Sequence, residues 1–248
     1  MILIANGCSH TAGAEIEEPL QGECYERAWP KHLGDSIGCE SVNLAMSGAS
    51  NHRVVRTTIE FLHSYISSEN SNVKDLFFVI LWPGMFRTEI HNPEGFADSG
   101  MYFDDGWCPL VVGNDDCYKE QLDFASYNYY KSWVTTHDRY HNIIDFYLNV
   151  LTLQNLFKFY GVNYLFWNAA NTGLQDEKSF EPYKIHIDQK RYPKLYSAQY
   201  SYTSLCHASG QSIAEGSVKS GFNSHYDEEG HKWFASFLFK YITKSNLV

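Results

Sequence analysis

The sequence predicts a parallel α/β sheet covered by helices on both faces, and three observations lead there. Short β-rich runs alternate with segments of helical periodicity along the chain. The most apolar run, Leu76 to Trp82, shows no polar alternation, which is what a central strand buried on both sides requires. Small-residue stretches follow the strand candidates, and in such sheets function collects in the loops after the C-terminal strand ends. A length of 248 residues suits one domain spanning 1–248.

In chain order, Ile2 to Asn6 is the first strand, ended by Gly7, and Cys8 to Gly13 reads as the loop that leaves it. A helix is expected over Tyr25 to Ser36, with Ala28, Trp29, His32 and Leu33 on one side. Its Pro30 belongs in the first turn, where the missing N–H is harmless. A strand over Ser41 to Ala45 leads into the loop Met46 to Ser50. Ser50 or Asn51 then caps a helix to about Ser67, with Val54, Val55, Ile59, Leu62 and Ile66 at helical spacing. After the strand Asp75 to Trp82, Pro83 and Gly84 break the chain. Residues 85–130 dissolve into Gly, Asp, Asn and aromatics and read as a long insertion without a core pattern of its own. Asp138 to Tyr160 reads as a long helix whose core face is Ile143, Ile144, Tyr147, Leu148, Leu151, Leu156 and Phe157, stopped by Gly161. Val162 to Trp167 is the next strand, 169–222 a second insertion, and Glu228 to Thr243 the closing helix.

Composition narrows the function classes. Nineteen Lys and Arg stand against 29 Asp and Glu, a formal net charge of −10. A surface of that sign disfavours nucleic acid, because phosphate binding draws on clustered cations. The opening MILIANGC lacks the basic region of a secretory signal, and no apolar run approaches the roughly 20 residues of a membrane span. The expectation is a soluble protein with neither membrane nor nucleic-acid partner. The six cysteines form no C-x-x-C pair and read as reduced thiols. Aromatics make up 16% of the chain, much of it Tyr, a residue that lines amphipathic clefts but also fills half-buried surfaces. The oligomeric state is not written in any of this.

Two segments carry chemistry. Gly7-Cys8-Ser9-His10-Thr11-Ala12-Gly13 places a serine hydroxyl at a tight turn off a strand, with backbone N–H groups nearby for an oxyanion. Near the other end, Asn223-Ser224-His225-Tyr226-Asp227-Glu228-Glu229-Gly230-His231 puts a histidine just before the closing helix, from where it can fold back toward the first loop.

These segments resemble a known family. The first is similar to block I of the SGNH (GDSL-like) hydrolases, with Cys8 where Asp is usual; Asn43-Leu44-Ala45-Met46-Ser47-Gly48-Ala49-Ser50-Asn51 is similar to block II; and Asn223, His225, Gly230, His231 and Ala235 resemble the last block. The Asn-Gly-Cys-Ser opening looks like a variant frequent in bacteriophage genomes. The resemblance implies a three-layer α/β/α flavodoxin-like sheet and a serine esterase or deacetylase. It further implies a small-molecule or glycan ester as substrate, a carbohydrate O-acetyl group among the options, and chemistry that needs no cofactor and no metal. For a phage-encoded chain it implies a place in the host cytoplasm or on the virion.

By the same resemblance Ser9 is the nucleophile, His225 the general base, and the N–H groups of Ser9 and Gly48 the oxyanion donors. Asn223 stands where the triad acid is expected; an amide orients an imidazole but lends it no charge. The block III Asn is missing too, since Trp82-Pro83-Gly84-Met85-Phe86-Arg87 follows the strand, and Arg87 is the nearest strong donor. These two losses sustain the alternative of a degenerate domain that binds a glycan or a partner protein without turnover. His231, oriented by Glu228, is the alternative base, but Gly230 and Ala235 keep the family's offsets from His225. Asp227 and Glu228 are the nearest candidates for a substitute acid. His10 lines the cleft, Asn51 caps the second helix or meets substrate, and Cys8 reads as a small buried hydrophobe. His137 and His141 show i, i+4 spacing, but without a third ligand they read as a surface or packing pair.

Overall fold

A computed structural model describes residues 1–16, 24–69, 71–92, 106–170, 180–195, 197–220 and 225–248. Four strands form a parallel sheet in the order β2-β1-β3-β6: β1 (Ile2–Gly7), β2 (Glu40–Asn43), β3 (Leu76–Trp82) and β6 (Asn163–Asn168). β1 pairs with β2 on one side and β3 on the other, Ile2 opposite both Glu40 and Leu76. The chain order therefore reverses around β1, and a crevice opens beyond its C-terminal end at such a switch point.

Side-chain alternation along β3 builds the three layers. Leu76, Phe78, Ile80 and Trp82 face α3 (Asn51–Ile66) and α6 (Arg139–Tyr160), packing with Val54, Leu62, Phe146, Val150 and Phe157. Phe77, Val79 and Leu81 face α2 (Trp29–Ile37) and α10 (Glu228–Lys244), packing with Trp29, Leu33, Phe234 and Leu238. Every residue of β3 is fully buried, which explains its unbroken apolar run. The expected α/β/α layering is thus the observed one. Along the free edge of β6, the Phe166 N–H donates to the carbonyl of Arg191, so part of the second insertion covers that edge.

The structure corrects several expectations. Cys8 to Gly13 is not a loop: Ser9–Ala12 forms one helical turn, α1, closed by Gly13 at φ 75. The expected helix at Tyr25 divides into a 3-10 turn, Tyr25–Arg27, and α2, with Pro30 in the first turn as predicted. Ser50, not Asn51, caps α3, its side chain accepting from the Arg53 N–H. In α6, Leu148 is half exposed, while Phe146, Val150 and Leu153 hold the core. The helix is buried along a broader stripe that includes Asn142, Asn149 and Gln154, and those polar residues hid its inner face.

The first insertion has a core after all. β4 (Arg87–His91) and β5 (Trp107–Val111) pair as an antiparallel ribbon beside α4 (Asp115–Gln121) and α5 (Phe124–Thr136). Cys108, Leu110, Tyr118, Leu122, Tyr130 and Trp133 pack together there, apart from the two faces of the main sheet. In the second insertion lie α7 (Glu181–Lys184), α8 (Tyr202–Ala208) and α9 (Glu215–Ser220).

Candidate active site

The end of β1 is shaped by what a side chain at Gly7 would strike. A Cβ there would stand 2.4 Å from Thr11 Oγ1 and 2.7 Å from the Leu81 carbonyl, so only glycine lets α1 fold back this tightly. Ser9 then falls at the first position of α1. Asn43 Nδ2 donates to the Thr11 carbonyl (2.8 Å) and its Oδ1 accepts from the Ala45 N–H (3.1 Å), tying the end of β2 to the turn. Met46 N–H donates to the Gly7 carbonyl, which lays the loop 46–50 beside Ser9. Gly48 in that loop has φ 76. Among the described residues, neither the Ser9 nor the Gly48 backbone N–H has an acceptor.

His225 arrives from the far end of the chain. Its carbonyl accepts from Ala214 N–H (2.9 Å), its own N–H donates to Ser217 Oγ (3.1 Å), and Tyr226 bridges to Ile213. So held, the imidazole reaches Ser9 Oγ with Nε2 at 2.8 Å and Glu15 Oε2 with Nδ1 at 2.7 Å. Ser9 is nearly buried, and the His225 and Glu15 side chains keep 13% and 16% exposure, enough for a substrate to approach. Glu15 has φ 63, a left-handed conformation that costs a residue with a Cβ roughly 1 kcal/mol or more. Following Gly13 at φ 75, it swings the carboxylate back over its own turn.

Glu15 is the residue that sequence reasoning missed. Its signal was the acidic stretch Glu15, Glu17, Glu18 within nine residues of Ser9. Asp227 and Glu228, the acids nearest His225 in sequence, are committed elsewhere. Asp227 caps α10 by accepting from the Gly230 N–H at 2.8 Å. Glu228 pairs with Arg27 and with Lys232. Asn223 lies outside the described residues.

His231 is not placed as a base. Its Nδ1 accepts from the Trp29 N–H at 3.1 Å, at the start of α2, and Nε2 lies 3.4 Å from the Tyr202 hydroxyl. The accepted bond puts its proton on Nε2. Burial, with help from the charge of His225, pushes its pKa down to about 3. His10 packs its ring against His225 (centroids 4.8 Å apart) and Tyr202 (5.3 Å), with Nδ1 buried and unpartnered. Burial first, then the charges of His225 and Arg87, hold its pKa well below the ordinary histidine value.

Arg87 does not pair with Glu89, which is held by Arg56 at 3.1 Å. Its Nη1 instead donates to the Ala49 carbonyl (3.4 Å), beside Gly48. Cys8 is buried before the turn, as expected of a small hydrophobe. His137 and His141 do not share a helix: the first ends α5 and the second lies in α6, bonded to Asp138. Among the described residues no cluster of three His, Cys, Asp or Glu side chains is arranged to hold a metal ion. No helix there is long and apolar enough to cross a membrane.

A three-layer α/β/α fold with a Ser–His–Glu line at the end of its first strand is the class that structure and site define. The chain itself belongs to a family of unknown function, DUF6071, whose pattern it matches over residues 15–246. That span includes Glu15 and His225. No curated protein matches by sequence. Among solved structures, the chain is similar to a carbohydrate esterase (TM-score 0.46, 12% identity), with 98% of this chain and 64% of that one covered. The chain thus spans less than two thirds of that protein's length. It is also similar to the psychrotrophic esterase EstA from Pseudoalteromonas sp. (0.43, 9%, covering 98% and 97%) and to TesA (0.45, 12%, covering 100% of each chain).

Proposed function

We propose that the protein is a serine-dependent ester hydrolase of the SGNH type. Its substrate is an acyl ester, with an O-acetyl group on a carbohydrate as the form the sequence resemblance implies. One observation carries this reading: Ser9 Oγ, both ring nitrogens of His225 and the Glu15 carboxylate lie in a continuous hydrogen-bonded line. A nucleophile, a base and a group that orients the base are what acyl transfer needs.

In the proposed reaction Ser9 Oγ attacks the acyl carbon while His225 Nε2 takes its proton. Glu15 accepts from Nδ1–H, fixing the tautomer and stabilising the imidazolium that forms. The N–H groups of Ser9 and Gly48 face the carbonyl oxygen as it becomes an oxyanion, with Arg87 on the rim of the same loop. His225 returns the proton to the departing alcohol, and water, activated by the same ring, releases the acid and restores Ser9. Glu15 removes one of the two grounds for a binding-only domain, because an acid does meet His225. The test is labelling by a fluorophosphonate probe together with hydrolysis of p-nitrophenyl acetate. Both should occur in the wild type and vanish in Ser9→Ala; an unlabelled Ser9 in folded protein at pH 6 to 9 defeats the reading.

A further inference from the structure

Next to the loop that carries Gly48, a recess of about 140 Å³ is walled by α3, α6 and the first insertion. It holds a cation and an anion that do not meet. Arg87 and Asp145 both line it, yet neither forms an ion pair with the other or with any other described side chain. The Arg87 guanidinium makes a single hydrogen bond, from Nη1 to the Ala49 carbonyl, which leaves most of its N–H donors unused. Glu89, two residues along the same strand, is taken by Arg56 instead. The Asp145 carboxylate accepts no hydrogen bond among the described residues; what Asn149 Nδ2 reaches, at 2.8 Å, is the main-chain carbonyl. Both charged residues are half-buried, and a partly desolvated charge without a counter-ion is costly.

The rest of the lining is mixed. Asn142 and Asn149 each spend one N–H on their own helix and keep an oxygen and a second N–H. Asn51 is 4% exposed and its Oδ1 has no partner, because Ser50 does the capping of α3. His52 and His137 also line the recess but are exposed, so water already serves them. A buried amide oxygen left unpaired is rare in a native fold and points to a bond that a ligand completes.

A ligand of one sign does not suit this space. An anion on Arg87 would face the Asp145 carboxylate, and a cation on Asp145 would face the guanidinium. A neutral ligand leaves both charges to water. A zwitterion answers both, provided its two charges lie close enough to fit between walls only a few ångströms apart. Carboxylate and ammonium on one carbon meet that condition; a peptide, with its charges at opposite ends, does not.

We propose that this recess binds a free α-amino acid, its carboxylate on the Arg87 fork and its ammonium on the Asp145 carboxylate, with the asparagine amides completing the bonds of both groups. Nothing in the proposal depends on ester hydrolysis.

The test is calorimetric binding to the full chain at about pH 6.5, where an amino amide is still a cation. L-alanine carries both charges, L-lactate replaces the ammonium by a hydroxyl, and L-alaninamide replaces the carboxylate by a neutral amide. The wild type should bind L-alanine saturably and each of the other two at least tenfold more weakly, the effect of one lost charge-assisted bond. Asp145→Asn should lose the preference over L-lactate and keep the preference over L-alaninamide. Arg87→Met should show the reverse pattern. A wild type that binds L-lactate as well as L-alanine has an anion site at Arg87 only, and one that binds L-alaninamide as well has a cation site at Asp145 only; either result overturns the proposal. So does the absence of saturable L-alanine binding up to about 20 mM. The wild-type comparison decides the matter by itself if a variant fails to fold, and no arm of it uses Ser9.

Discussion

His225, next to the bridge that Tyr226 makes with Ile213, and His231, in the first turn of α10, lie six residues apart, and the fold treats the same side chain in opposite ways. His225 presents one nitrogen to a hydroxyl and the other to a carboxylate, in a cleft that keeps 13% of its side chain exposed. His231 presents one nitrogen to a main-chain N–H and the other to a phenol, with 1% exposure. The first ring can gain a proton from Ser9 and have the charge stabilised. The second is refused one, because its Nδ1 is already an acceptor and burial penalises the cation. Neighbouring sequence positions therefore say little about which histidine works; the partners of the two nitrogens say most of it.

The sharpest way to break this contrast is to remove each ring in turn. His225→Ala should lower kcat/KM for p-nitrophenyl acetate by about 10³- to 10⁶-fold, the range seen when a triad base is lost. Its melting temperature should move little, since the ring is partly exposed. His231→Ala should do the opposite. It leaves the Trp29 N–H without an acceptor and a void in a sealed site, a loss of about 2–4 kcal/mol of stability. Activity per folded molecule should stay within about threefold. Denaturant melts and initial rates on the same preparations decide it; an inactive but stable His231→Ala would make His231 the base.

Glu15→Gln comes next in size. The amide can still meet Nδ1 but cannot neutralise an imidazolium, so kcat should fall by about 10²- to 10⁴-fold. Asn223→Asp in the otherwise unchanged protein should bring no gain, because Nδ1 already has its carboxylate. A rate increase in Asn223→Asp would mean that the charge at Glu15 is not the one the reaction uses.

What was readable in the sequence, and what was not, follows the same logic of partners. β1, β3, β6 and α10 were legible because their burial is periodic or continuous, and that pattern survives any arrangement of neighbours. Ser9 and His225 were singled out through the family resemblance, because Gly13, Gly230 and Ala235 keep the family's offsets from them, and the structure brings the two side chains together. Glu15 was not. Its role depends on a left-handed φ after Gly13 and on a histidine 210 residues away, and neither leaves a mark in residue spacing. The small core of the first insertion escaped for a related reason. Its members, such as Cys108, Tyr118 and Trp133, come from a ribbon and two helices, so no single segment shows a periodic face.

Acid tests the sealed histidine more gently. With an unfolded-state pKa of about 6.5 and a folded value pushed down to about 3, His231 is neutral in both states above pH 6.5 and adds no pH dependence there. Below that, the unfolded chain binds a proton that the folded protein refuses, so stability falls as pH falls, by up to about 1.4 kcal/mol per unit, and levels off near pH 3. His10, also depressed by burial, acts in the same direction. Unfolding free energies from urea titrations between pH 7.5 and 4.5 should show, below pH 6.5, a slope about 1 kcal/mol per pH unit shallower in His231→Gln than in the wild type. Parallel slopes would mean that the buried ring is charged in the folded protein.

The smallest expected effect concerns Asp227, which stands between the two histidines and fixes where the extended segment stops and the helix begins. Its side chain accepts from the Gly230 N–H, and the His231 N–H donates to its carbonyl. Those bonds mark an N-cap, and removing an N-cap carboxylate costs about 1 kcal/mol, up to about 2. Asp227→Ala should therefore lower stability by that amount, with Asp227→Ser recovering most of it, because serine caps a helix as well. Neither variant should change kcat/KM for p-nitrophenyl acetate by more than about threefold, since His225 is held independently through Ala214, Ser217 and Ile213. A hundredfold loss of activity in Asp227→Ala that serine fails to restore would instead give Asp227 the place assigned to Glu15. It would also mean that the boundary between the two histidines is part of the reaction and not only of the fold.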